Sequence, residues 1–212
     1  MNNNVEELVE NVLQLTEQKL KNIFSLCELT SDSESIISSR IIFPKYSNKE
    51  QKTRISEQEL RCAFIESFNE YCIGSQNKSN YHYSVETPTE DKYSGFKTEN
   101  PQINNCGRSG AFDMVIHDEQ MKRVCLIEFK SDLKDIKEYN KDFLKLSNIN
   151  EGDNTVLRYF IELVSKSNHK NLKEIKRRTI DNRFNNEHIV KVRCISLSGI
   201  KEGLIDLSDI NN

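Results

Sequence analysis

Residues 108–130 read RSGAFDMVIHDEQMKRVCLIEFK. Two apolar runs, Ala111 to His117 (AFDMVIH) and Arg123 to Lys130 (RVCLIEFK), flank a short charged turn, Asp118 to Lys122. Their β-branched and aromatic content predicts two strands joined as a hairpin. Each run is interrupted by an acid. Side chains alternate with period two, so Asp113 shares a face with Ala111 and Val115. Glu128 and Lys130 share a face with Leu126, while Ile127 and Phe129 point the other way. A carboxylate and an ammonium therefore stand one step apart on the same side of a buried strand. Such charges are costly to bury unless they are paired or bind a metal. In a hairpin, Asp113 and Glu128 lie near enough to converge on one cation.

Outward from this hairpin, the chain alternates helices and strands. Residues 4–29 carry Val5, Leu8, Val9, Val12, Leu15, Leu20, Ile23 and Phe24 at helical spacing, with a slip in phase near Thr16. They predict an amphipathic helix that packs on a core in preference to a long coiled coil. A polar stretch at 30–40 and a charged, turn-rich linker at 45–54 follow, flanking the short run Ile41-Ile42-Phe43-Pro44. Ser56 then stands three residues before Glu59, the capping-box spacing. Leu60, Phe64, Ile65, Phe68 and Tyr71 supply the apolar stripe of the helix so opened. Residues 81–87 (YHYSVET) read as a strand ending at Pro88, and 89–110 as a long polar loop. Beyond the hairpin come a Lys-rich helix (133–146), a run at 156–164 that fits a strand or a helix and is read as a strand, a basic helix (169–181) and a strand at 189–197. The expected fold is α/β, with a mixed central sheet flanked by helices and an N-terminal helix, divided as 1–50 and 51–212.

Composition narrows the class. Leu, Ile, Val and Phe make up about 27% of the 212 residues, above the range of disordered chains. No apolar run approaches a membrane span, and the polar start MNNNVEELVE resembles no targeting peptide. A soluble, cytoplasmic protein is the expectation. The six cysteines include no C-x-x-C pair, and the four histidines share no ligand spacing with them. A disulfide framework and a structural zinc site are therefore not expected. Cys62, Cys125 and Cys194 sit in apolar-periodic segments, where a thiol behaves as a small hydrophobe.

Hard oxygen donors on adjacent strands suit Mg²⁺ or Mn²⁺. Mg²⁺ takes one or two carboxylates, waters and substrate phosphate oxygens in an octahedron. Asp113, Glu128 and the backbone carbonyl of Phe129 would form half of such a shell. Lys130 would then orient an attacking water and stabilise developing charge. Asp113, a spacer, and Glu128-Phe129-Lys130 together resemble the PD-(D/E)XK phosphodiesterase superfamily, over about residues 54–197. The resemblance implies a restriction-endonuclease-like core of helix, three strands, helix and strand, and divalent-metal-dependent cleavage of nucleic acid, here DNA in defence or repair. It carries Asp113 and Glu128 over as metal ligands and Lys130 as the catalytic lysine. It also implies an acid on the first helix, for which Glu59 is preferred to Glu66. Phe112, where many members have proline, is the one departure.

The tripeptide alone carries little weight: E-x-K or D-x-K occurs seven times, and only the copy at Glu128 follows a β-type run with a strand-borne aspartate upstream. A metal-free strand-end pair with Lys130 or Arg108 is the alternative for Asp113 and Glu128, and an N3 capping role the alternative for Glu59. The net charge of −3 gives no global attraction to nucleic acid, so a local basic surface has to supply it. Lys134, Lys137, Lys141 and Lys145 recur at spacings of three or four on the helix after the hairpin. Lys173 and Arg177 belong to the later basic helix, where Lys170, Lys176, Arg178 and Arg183 also crowd. Arg108 precedes the first acid. Two other readings stay open: a nuclease-fold module that binds nucleic acid or a protein without cutting, and a homodimer through the N-terminal helix.

Overall fold

The computed structural model describes residues 2–28, 39–46, 53–74, 80–132, 134–179 and 188–207. Most of the 30–40 stretch and of the 45–54 linker lies outside them, as do Leu133, Ile180 and Arg183. A seven-stranded mixed sheet forms the centre, with spatial order β2-β1-β3-β4-β5-β6-β7. Its strands are β1 (His82–Ser94), β2 (Gln102–Ile103), β3 (Arg108–His117), β4 (Arg123–Ser131), β5 (Leu157–Val164), β6 (Lys191–Ser196) and β7 (Gly203–Asp206). β4, β5 and β6 run parallel, and the remaining pairs are antiparallel. Parallel neighbours need crossovers, and α3 (Ile136–Ser147) and α4 (His169–Thr179) provide them. Burial on both faces explains why β5 is apolar on both sides apart from Arg158 and Glu162.

Two apolar layers sandwich the sheet. On one face, α1 (Asn2–Glu28) and α2 (Glu57–Gly74) pack Val9, Val12, Leu20, Leu60 and Phe64 against Met114, Ile127, Phe129 and Ile161. On the other, Tyr139 and Phe143 of α3 and Leu172 and Ile175 of α4 meet Leu126, Phe160 and Cys194. The phase slip in α1 is absorbed locally, because the buried Thr16 hydroxyl donates to the Val12 carbonyl at 2.7 Å. Glu10 accepts from Arg193 and from the Tyr159 hydroxyl, fixing α1 to β5 and β6. The buried face of α1 is therefore covered within the chain, so a dimer through this helix would have to use its outer side. Among the described residues, no helix is long and apolar enough to cross a membrane.

Three expectations are corrected. β1 runs through Pro88 to Ser94, and β2 adds to its end, so much of the expected 89–110 loop is sheet. Pro88 is tolerated because the register shifts between Pro88 and Lys92, a bulge where ladder bonds are interrupted. The N–H groups of Glu90 and Asp91 freed there donate to the buried carboxylate of Glu151, which also accepts from the Tyr93 hydroxyl. Cys62 is exposed on α2, whereas Cys125 and Cys194 are buried as expected. The Lys-rich helix begins at Ile136, capped by Asp135, which leaves Lys134 outside it.

Candidate metal centre between β3 and β4

The β3–β4 ladder runs from His117↔Arg123 to Met114↔Ile127 and stops there. β3 continues beside β1 as far as Arg108, so it peels away from β4 and opens a wedge at the carboxyl end of β4. The break falls at Asp113. Its Oδ2 accepts the Phe129 N–H at 2.7 Å, taking the place of the missing ladder partner. In a strand the N–H and C=O of one residue point to the same side. The Phe129 carbonyl therefore faces the wedge as well, where the Lys130 Nζ donates to it at 3.3 Å. The carboxyl ends of sheet strands at a change of connection are the usual place for ligands in open α/β folds.

A cleft of about 670 Å³ opens over this wedge. Asp113, Glu128 and Lys130 line it together, along with Glu57 from α2 and Asp142 and Lys145 from α3. Lys130 Nζ lies 2.6 Å from Asp142 Oδ2 and 3.8 Å from Glu57 Oε1. Lys145 Nζ contacts Glu128 Oε1, lies 3.1 Å from Asp142 Oδ1 and donates to the Ala111 carbonyl at 2.7 Å. Four carboxyl groups thus crowd around two buried amines in the inner cleft, with Lys141 at its edge 3.8 Å from Asp142.

That crowding shows in the protonation equilibria. Glu128 is pushed well above the ordinary carboxylate range, first by burial, then by the charges of Asp142 and Asp113 against the opposing pull of Lys145 and Lys130. Glu57 is raised for a similar reason, burial leading. Burial works against the Lys130 ammonium, but Asp142, Glu128 and Glu57 outweigh it and raise its pKa. Lys130 therefore remains a cation across the physiological range.

The hard-oxygen donor set fits a divalent cation. Among the described residues, no three Asp, Glu, His or Cys side chains converge closely enough to form a finished metal cage. The reason is visible in the ion pairs: Lys145 holds Glu128, and both lysines hold Asp142. Mg²⁺ in any case recruits waters and substrate oxygens to complete its shell.

The other expected site residues fall in different places. Glu59 pairs with Arg54 and accepts from the Ser56 hydroxyl, and Glu66 accepts from Ser39, so neither acid lines the cleft. The first-helix acid in the cleft is Glu57. The sequence could have pointed to it, because Glu57 lies three residues before Leu60 and continues the inward stripe.

Lys145 is a correction of another kind. It is 4% exposed, so it is a buried counter-ion and not part of a phosphate-facing surface. Lys134, Lys137 and Lys141 do line the cleft rim, where Lys137 pairs with Asp135 and Lys141 with Glu138. Arg108, Lys173 and Arg177 are exposed but lie outside the cleft lining, and Arg177 pairs with Glu174. Asp142 was missed by sequence reasoning. It falls on the apolar line of α3 between Tyr139, Phe143 and Leu146, which was the available clue.

A further buried acid, Glu162, stands on β5 beside β4 and accepts from the Tyr139 hydroxyl at 2.7 Å. Burial lifts its pKa to about 7. Between about pH 4.5 and 7 the folded protein thus keeps a proton that the unfolded chain has released, so stability falls as pH rises through that window. Glu162→Gln is expected to flatten this dependence, removing a difference on the order of 3 kcal/mol, measured by urea denaturation at pH 4.5 and pH 7.5.

Comparisons with protein-family models, with curated proteins and with solved structures give no match.

Proposed function

We propose that this protein is a divalent-metal-dependent phosphodiesterase of PD-(D/E)XK type that cleaves DNA. One observation carries the reading: Asp113 bonds across the broken β3–β4 ladder to Phe129, placing it in one cleft with Glu128 and Lys130. Asp113 and Glu128 would hold Mg²⁺ or Mn²⁺, with the Phe129 carbonyl facing the same wedge. When bound, the ion would lower the pKa of a water and polarise a phosphoryl oxygen.

The chain's own residues supply the remaining parts. Lys130, kept protonated by Asp142, Glu128 and Glu57, cannot serve as a general base. Its ammonium instead donates hydrogen bonds, orienting the attacking water and offsetting negative charge on the phosphorus centre. Asp142 holds that ammonium in place. Lys134, Lys137 and Lys141 at the rim offer positive charge to the flanking phosphates. Their acidic partners make the attraction local and weak at high salt.

The test is incubation of the purified protein with supercoiled, linear, single-stranded and branched DNA, with and without Mg²⁺ or Mn²⁺. Metal-dependent cleavage that chelation abolishes is the expected result. Absence of cleavage on all substrates, with intact DNA binding, would favour a silent nuclease-fold module.

A further inference from the structure

Lys145 reaches from α3 into the wedge, and its ammonium sits among three oxygens: Glu128 Oε1, Asp142 Oδ1 at 3.1 Å and the Ala111 carbonyl at 2.7 Å. These come from three elements, β4, α3 and β3, and they meet where β3 leaves β4. Two carboxylates and a backbone carbonyl are a set of hard donors, and the group they surround is a cation. The nearby Phe112 ring, 5.7 Å from the Lys145 nitrogen, closes part of the surrounding shell. Lys130 is already satisfied by Asp142 Oδ2 and does not need this position.

We propose that Lys145 blocks the cation site: its ammonium holds Glu128, the carboxylate that its own oxygen cage shares with the proposed Asp113–Glu128 metal site, and a divalent ion that takes Glu128 displaces it toward the cleft. This rests on the metal reading of the cleft and adds a resting state to it. The structure gives the departing side chain a route, since Lys145 itself lines the open cleft beside Gly110 and Lys141. A divalent ion also offers Glu128 and Asp113 more positive charge than the single ammonium it displaces.

Two measurements on the full chain test this. In the first, an acid anhydride labels lysines with and without Mn²⁺, and mass spectrometry reads the peptide carrying Lys145. Protection without metal and a several-fold gain in labelling with Mn²⁺ are expected. In the second, Mn²⁺ affinity is measured by electron paramagnetic resonance, and Lys145→Met should tighten it about tenfold or more, since a competing charge has left the site. If Lys145→Met does not fold, the labelling of the wild-type chain decides. Mn²⁺ binding with Lys145 still protected, or a Lys145→Met variant that binds no more tightly, overturns the blocking role and leaves the metal site standing. No Mn²⁺ binding to either protein overturns both.

Discussion

Asp113→Asn and Lys130→Met are each expected to lower metal-dependent DNA cleavage by about a thousandfold, with the fold retained. Asn keeps an oxygen that can accept the Phe129 N–H, so the break between β3 and β4 should persist. What it loses is the charge, and with it one of the two strand carboxylates available to the ion. Lys130→Met keeps the length and apolar stem of the side chain but removes the ammonium proposed to act on the phosphate. Asp142 is then left with Lys145 at 3.1 Å and Lys141 at 3.8 Å, which still neutralise it. Initial rates of plasmid nicking at saturating Mn²⁺, beside thermal melts of the same samples, separate lost chemistry from lost structure. Rates within tenfold of wild type for either variant would contradict the assigned roles.

Asp142→Ala is expected to be the most damaging change to stability in the cleft. Lys130 and Lys145 are 6% and 4% exposed in their side chains, and Asp142 is their shared anion. Its removal takes from both buried ammonium groups the one carboxylate that they share at close range. Breaking a buried charge pair by deleting one partner typically costs about 3–5 kcal/mol. For a chain of this size that corresponds to a fall in Tm of about 10 °C. Lys141 offers the internal comparison, since it lies 3.8 Å from the same carboxylate but is partly exposed. Lys141→Ala should cost less than about 1 kcal/mol, because solvent screens the pair. Thermal or urea unfolding of both variants measures the contrast, and equal losses would contradict the buried-network description.

The chain order of the main helices and strands was legible because it rests on periodicity. The hairpin that carries Asp113 and Glu128 shows as two apolar, β-type runs around a short charged turn, and the apolar stripes of α1 and α2 recur at helical spacing. β1 past Pro88 was not legible. Its continuation depends on Glu151, some sixty residues away, taking up the N–H groups that the bulge frees. β7 is only four residues long and exists by pairing with β6. Neither leaves a local pattern strong enough to read.

The candidate site divides in the same way. Asp113, Glu128 and Lys130 stand out because each is a charge set in an apolar strand. Glu57 and Asp142 stand on helices, where acids are ordinary, and only their phase against the buried stripe marks them as inward. Lys145 shows the limit of spacing arguments. Its position among other lysines predicts a solvated basic face, yet tertiary packing turns it into the wedge, where Glu128 and Asp142 satisfy it.

The most direct test of the central claim is diffraction from crystals soaked in Mn²⁺, recorded at the manganese absorption edge. The expected result is one anomalous peak in the β3–β4 cleft, within about 2.2 Å of a carboxylate oxygen of both Asp113 and Glu128. Full occupancy of another position, or an empty cleft in crystals that bind Mn²⁺ elsewhere, would contradict it.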